Sequence, residues 1–325
     1  MGKLALVIAV FAATLSTAGA VGAQNYPSRP ITVVVPGPAG GPPDTLLRIL
    51  SDRMTASLGQ PIVIENAGGA AGTIAVGRVA RAAPDGYTVS IGHVASHVFS
   101  SIVYGLQHDA LKDLVPVALL TTTPTWIIAT NALPAKDVKE LIAWLKANPN
   151  VASAGIVGAG SPAQLCGMHF QNLTGTRFKF VSYRGGAPLM QDLIGGHIQL
   201  ACVEASNTRE LVESGKVKAY AVMSAKRWAK AADIPTIDEA GVPGLHIPFW
   251  HGLWVPKGTP ADAIAKLNAA AMRALADTEV MQRLAELGQE LPPDNMQTPE
   301  ALGVFHKAEV EKWAPIIKAA NIKPE

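Results

Sequence analysis

Apolar runs rich in β-branched residues alternate along this chain with glycine-rich breaks and segments of helical spacing. Ile31-Thr32-Val33-Val34-Val35 is a continuous run of the kind expected from a strand buried on both faces. It stops at Pro36-Gly37-Pro38-Ala39-Gly40-Gly41. From about Asp44, the residues Leu46, Leu47, Leu50 and Met54 recur at helical spacing. The unit then repeats. Pro61 to Glu65 reads as a strand, Ala67 to Gly72 as a small-residue loop and Thr73 to about Ala82 as a helix; after the Asp85-Gly86 turn, Tyr87 to Ile91 reads as a third strand. Strand, glycine loop, helix, strand describes βαβ units and a mostly parallel sheet.

A second series occupies the middle of the chain. Thr125 to Ala129, Phe178 to Tyr183, Ile198 to Val203 and Val217 to Met223 read as strands, and Lys136 to Ala147 as an amphipathic helix. Loops at Gly158-Ala159-Gly160-Ser161-Pro162 and Arg184-Gly185-Gly186-Ala187-Pro188 open two more helices, the second ending at Gly195-Gly196. Beyond the strand Pro248 to Val255 the pattern turns helical, with one long helix from Thr259-Pro260 and a last one from Pro299-Glu300. No low-complexity linker intervenes, so strands are expected to carry the chain between two lobes. The division expected is residues 24–123 with 248–325 for one lobe and 124–247 for the other. The fold class expected is α/β, with a ligand cleft between the lobes.

The N-terminus sets the compartment. Lys3 is followed by an apolar run from Leu4 to about Leu15 and by small residues ending in Val21-Gly22-Ala23. That is the pattern of a secretory signal, here residues 1–23, cleaved after Ala23. The Ser, Thr, Gly and Ala of its last third suit a peptidase better than a bilayer, and no cysteine stands near the site to carry a lipid. A periplasmic location follows. The 325 residues carry 27 Lys and Arg against 25 Asp and Glu, with no run of one sign. Nucleic acid is therefore not expected as a partner, since phosphate binding needs a concentrated basic face. Cys166 and Cys202 lie in a chain whose compartment permits a disulfide. Both flanks read as core segments, however, which favours two buried thiols.

The recurring chemical device is a glycine loop placed just before a helix, at Gly40-Gly41, Gly72-Thr73, Gly160-Ser161 and Gly185-Gly186. Helix N-termini present unpaired N–H groups and partial positive charge, so they bind anions without a formal cation. In open α/β sheets such loops gather at the carboxyl ends of strands, where ligands bind. Enzyme motifs are missing: there is no G-x-S-x-G elbow, Walker loop, G-x-G-x-x-G or H-E-x-x-H. His93 and His97 have a metal-like spacing, but no acidic or cysteine partner stands near them in sequence. They read instead as polar lining of the cleft. Asp44 reads most simply as a helix N-terminal residue favoured by the dipole. No catalytic residue, metal or cofactor is expected, and the chain is not expected to be an enzyme.

Several stretches carry a family resemblance. They include Tyr26 to Thr32, Pro36 to Asp44, Leu58 to Asn66, Ala80 to Thr88, Tyr183 to Pro188, Ser224 to Arg227, Ile234 to Gly241 and Pro256 to Pro260. Together they resemble the Bug or TctC-like binding proteins of tripartite tricarboxylate transporters, over essentially the whole chain beyond the signal. The resemblance implies a two-lobe periplasmic-binding-protein fold, a Venus flytrap of type II-like form. It also implies capture of a small organic carboxylate for membrane permease components, by a protein expected to act as a monomer. A sensor subunit presenting its ligand to a membrane kinase has the same architecture and is the alternative.

Carried over by position, the first lobe would bind through Gly37, Ala39, Gly40 and Asp44, through Gly72, Thr73 and Ile74, and through His93, Ser96 and His97. The second lobe would contribute Gly160, Ser161, Tyr183, Gly185, Gly186, Val203 and Glu204, with Trp250 or Tyr183 as stacking surfaces. Departures from the family pattern bear on the ligand. Gly37 stands where an aromatic residue is usual, Thr73 replaces an asparagine, and Val203 replaces an aspartate, with Glu204 next to it. Lost donors would leave oxygens of a polar dicarboxylate unpaired, at about 1–3 kcal/mol each. The expectation is a shift toward an aromatic or otherwise apolar carboxylate.

Overall fold

The computed structural model describes residues 26–104 and 108–319; the proposed signal segment lies outside them. Nine strands form one curled sheet in the order β2-β1-β3-β9-β4-β7-β5-β6, with β8 also on β4. The strands are β1 (Ile31–Val35), β2 (Ile62–Asn66), β3 (Thr88–His93), β4 (Leu114–Thr130), β5 (Ser153–Ile156), β6 (Lys179–Ser182), β7 (Leu200–Glu204), β8 (Val217–Val222) and β9 (Pro248–Pro256). Parallel pairing joins β1 to β2 and β3, and β5 to β6 and β7. The βαβ reading of both series is therefore met, but the sheet is not mostly parallel, because β9, β4 and β8 join it by antiparallel pairing.

β4 holds the halves together. Its residues 114–124 pair with β9, and residues 125–130 pair with β7 and β8. We refer to the β2-β1-β3-β9 side as the first lobe and to the β7-β5-β6 side with β8 as the second. At the crossing Pro124 stands opposite Pro248. Neither has an N–H to give, so neither residue can donate to the ladder at the point where the chain passes between lobes. The crossing strands expected from the absence of a linker are thus present, and their weakest rung is built from two prolines.

Helices cover both faces of each lobe. In the first, α1 (Pro42–Leu58), α9 (Ala261–Leu275) and α10 (Thr278–Glu286) bury Leu47, Leu50, Ala270 and Leu284 on one face. On the other face lie α2 (Thr73–Ala80) and α11 (Pro299–Ala319), together with the short α3 (Ser100–Tyr104) and α4 (Ala110–Asp113). In the second lobe α5 (Val138–Ala147) and α6 (Pro162–Thr174) cover one face; α7 (Gly186–Ile194) and α8 (Arg209–Glu213) lie on the other. One apolar cluster runs from Val76 and Trp313 in the first lobe to Leu141 and Phe170 in the second, so the hinge is packed on that side. Among the described residues no helix is long and apolar enough to cross a membrane.

Two further expectations need correction. The long helix expected after Thr259 is two helices, because the Asp277 side chain accepts the N–H groups of Glu279 and Val280 and so caps a new start at α10. Cys166 and Cys202 are buried, as their flanks suggest, but they are joined rather than free, linking α6 to β7 across a Cα–Cα distance of 6.3 Å. The bridge closes a loop of sequence separation 36, for which chain entropy gives about 4 kcal/mol. Reduction, or replacement of both cysteines by serine, is expected to lower the thermal midpoint by on the order of 10 °C, as read by circular dichroism with and without reductant. An unchanged midpoint would mean that the bridge adds nothing to the second lobe.

Candidate functional site

The chain leaves β1 through α1 for β2 on one side, then returns through α2 to β3 on the other. Crossover direction therefore reverses between β1 and β3, and a crevice opens outside their carboxyl ends. The segments at that point are the loop 36–41 and residues 94–96, where the π-helical turn Ala95–Phe99 begins. β5 stands in the same relation to β6 and β7, with loops 157–161 and 205–207 at the second reversal. His93 at the end of β3 pairs with His251, and Glu204 at the end of β7 pairs with Thr125. Both reversal points thus face the proline crossing.

The three first-lobe loops converge. A Cβ placed on Gly72 would stand 2.7 Å from Ser96 Cβ and 3.0 Å from Pro36 Cβ. Just before it, Gly69, Ala70, Ala71 and Gly72 all have positive φ (115, 45, 52 and 87°). The two alanines cost about 1–2 kcal/mol each in that region, a kind of strain that gathers at ligand sites. No side chain caps α2, so the amides of its first turn have no side-chain partner. α1 also lacks a side-chain cap, but Pro42 and Pro43 remove donors from its start.

Across the cleft, Gly160 comes so close to α3 that an added Cβ would lie 2.7 Å from Val103 Cγ2. Ser161 accepts the Gln164 N–H and caps α6, while Gln164 Oε1 accepts the Gly160 N–H at 2.7 Å. Beside the crossing, the rings of His93, Phe249 and His251 form a triangle with centroid separations of 5.3, 5.4 and 6.1 Å. His93 Nδ1 accepts the N–H groups of Ala95 and Ser96 at 3.2 and 3.4 Å, which leaves the ring proton on Nε2.

A family profile described as "Tripartite tricarboxylate transporter family receptor" matches residues 46–322. The chain belongs to that family. Its fold is that of the periplasmic binding protein BugD (38% identical, covering 92% of this chain and 100% of that one, TM-score 0.83). It is equally similar to MatC of Rhodopseudomonas palustris with bound malate (36%, 90% and 100%, TM-score 0.84). A further R. palustris protein, solved with adipate, gives 32% identity, 93% and 100% coverage and a TM-score of 0.85. The two-lobe binding-protein fold expected from sequence is thus established, and this family receptor is a solute-binding protein, not an enzyme.

The receptor brings some of the expected residues to the two reversal points and leaves others aside. Gly37, Ala39, Gly40, His93, Ser96, Gly160, Ser161 and Val203 lie in or beside the inner loops. Gly72, Thr73 and Ile74 follow the edge strand β2, yet reach inward through Ser96. Tyr183, Gly185 and Gly186 follow the edge strand β6; the Tyr183 hydroxyl donates to Asp192 Oδ2 at 2.6 Å.

Four expected contacts are corrected. Trp250 is fully buried, with its indole N–H on Glu309, and has no face for a ligand. His97 is fully buried against Gly92 and the Trp254 ring, its Nδ1 3.0 Å from Ser96 Oγ, and it follows a strand end rather than sharing a helix face with His93. Asp44 is fully buried with both oxygens occupied, by Gly40 N–H and Arg48 on one side and by Asn66 and Arg48 on the other. Burial would raise its pKa, but these bonds outweigh it and hold the carboxyl below its ordinary value. Glu204 is buried, and its oxygens accept from Ser206, Asn207 and Gln289. The residue missed is Phe249, half-buried beside the crossing, with the fully buried His251 packed behind it. With Trp250 packed toward α11, strand alternation turns its two neighbours to the opposite face, and that was the signal available.

Burial lowers the pKa of His93 to about 4 and of His251 to about 3; it also lowers His97 and His306, with a nearby histidine adding to the effect at His97. His93 and His251 are neutral when folded and free to protonate near 6.5 when unfolded, so below 6.5 the unfolded chain binds more protons. Stability therefore falls as pH drops from 7 toward 4, by about 1 kcal/mol for each of these two between pH 7 and 5.5, and the lowering of His97 and His306 acts in the same direction. Glu204 and Glu290, raised by burial, act in the opposite sense. Urea titrations are expected to show the receptor about 2 kcal/mol less stable at pH 5.5 than at 7; equal stability would contradict the neutral state of the His93 and His251 rings.

Proposed function

We propose that this chain is the periplasmic receptor of a tripartite tricarboxylate-type transporter, capturing a small organic carboxylate and presenting it to the membrane permease components. The observation that carries this reading is the pair of reversal-point loops set face to face across one hinge, in a fold shared with relatives solved with malate and with adipate. Export with cleavage after Ala23 and lobe boundaries at 123/124 and 247/248 belong to the same proposal. The ligand carboxylate sits against the uncapped start of α2 and the segments 36–41 and 94–96, held by backbone amides, Thr73 and the Nε2–H of His93; the Ser96 hydroxyl, buried and bonded to His93 and His97, supports that turn from behind.

Substrate type follows from what faces the crossing. Phe249 and His93 are half-buried rings with centroids 5.3 Å apart beside the crossing. The proposed ligand therefore carries an aromatic or otherwise apolar body on its carboxylate. In a thermal-shift series with the mature protein, a benzoate-type acid at 100 times its dissociation constant adds about 2.7 kcal/mol. Such a gain corresponds to several degrees for a chain of this size. Benzoate-type acids are expected to displace C4–C6 aliphatic acids in competition. Tighter aliphatic binding would overturn the substrate type alone; no shift with any carboxylate would overturn the receptor reading.

A further inference from the structure

Segment 288–290 leaves α10, which packs on α1, and lies across the hinge. Glu290 exchanges two backbone hydrogen bonds with Thr122 of β4, both 2.8 Å. Gly288 has φ +71°, and any Cβ there would run into the ring of Trp228. Trp228 is buried in the second lobe, edge-on to Trp126 with centroids 5.7 Å apart. Gln289 Nε2 donates to Glu204 Oε1 at 2.8 Å and to Ser206 Oγ at 3.3 Å. The other two donors to Glu204, the Ser206 hydroxyl (2.8 Å) and Asn207 Nδ2 (3.1 Å), come from its own lobe. Gln289 alone among these three reaches it from the segment that follows α10.

We infer that segment 288–290 is a strap pinned to both lobes, and that the Gln289–Glu204 hydrogen bond latches the interlobe arrangement described here. Glu204 thus acts on the hinge and not on the ligand. When the lobes turn about Pro124 and Pro248, Ser206 and Asn207 travel with the carboxylate and keep it solvated, while the Gln289 bond must break. The latch sets the ratio of latched to open forms, and with it the apparent affinity for any ligand that prefers one form, without touching that ligand.

The test needs no ligand. Small-angle scattering of the mature protein at neutral pH compares the unaltered chain with Gln289→Met and Gln289→Glu. Methionine keeps the shape without the donor; glutamate sets a second carboxylate against Glu204. Loss of a buried hydrogen bond to a charged group corresponds to about a tenfold rise in the open-to-latched ratio. Gln289→Met is expected to enlarge the radius of gyration, and Gln289→Glu to do so more. Hydrogen exchange on the unaltered protein is a second readout, with peptides covering 286–292 and 203–208 protected together. Scattering profiles identical to the unaltered chain in both variants overturn the latch. So does rapid exchange of 286–292 in the unaltered protein, which stays decisive if a variant does not fold.

Discussion

A strand of 17 residues that serves two lobes must satisfy a different core at each end and give up regularity between them. β4 does this by burying Val117 and Leu120 with the first-lobe helices, and Ile127 and Ile128 with the second-lobe clusters. Between them run Thr121, Thr123, Pro124 and Thr125, polar or donor-less yet buried. The pairing with β9 is already irregular at Pro116–Ala118 and at Leu119–Thr121. Irregularities of this kind bend and twist a strand, and the proline pair at Pro124 and Pro248 removes donors where the lobes must turn. The strands that carry the inner loops join this strand through β9 on one side and through β7 on the other, so the position of the crossing bears on where both sets of loops point.

The architecture was legible because its signals are local. Ile31 to Val35 can only be a strand buried on both faces, and the glycine loops before Thr73, Pro162 and Gly186 mark helix starts by backbone chemistry alone. Side-chain destinations were less legible, since they depend on partners remote in sequence. Trp250 looked available because an aromatic residue near a hinge suits stacking, but Glu309, fifty-nine residues away, claims its N–H. Asp44 is the first-turn acidic residue it was read as, but Gly40, Asn66 and Arg48 also consume its oxygens and make it the rivet between loop 36–41 and β2. The disulfide was obscured for the opposite reason: a cysteine in a core segment reads the same whether or not its partner, 36 residues on, stands within bonding reach.

Burial of polar groups follows one pattern through the molecule. Asp44, Glu204 and Glu309 each accept hydrogen bonds from neighbouring donors, which outweigh the cost of burial at Asp44 and offset it only in part at Glu204. Arg48 is the charged one among these donors, pairing with Asp44 from a mostly exposed position. The histidines take the other route and shed their charge. His306 spends its Nε2–H on the His97 carbonyl at 2.9 Å, and His93 spends Nδ1 on its own turn. Both devices fix side chains beside the cleft without placing a free charge in it.

That choice bears on how such a receptor can work. The inner loops 36–41, 94–96, 157–161 and 205–207 contain no lysine or arginine, and Arg184 on the outer loop after β6 is exposed. Under the proposed function, anion recognition there falls to backbone amides, hydroxyls and a neutral imidazole. A formal ion pair buried by closing lobes gains Coulomb energy in a low dielectric, and reopening must then return that energy. Amide dipoles give a shallower well, so the ligand is held by the closed arrangement rather than by one strong contact. A hinge poised by its own hydrogen bonds can then control both capture and release, which is what a protein that must hand its ligand on unchanged requires.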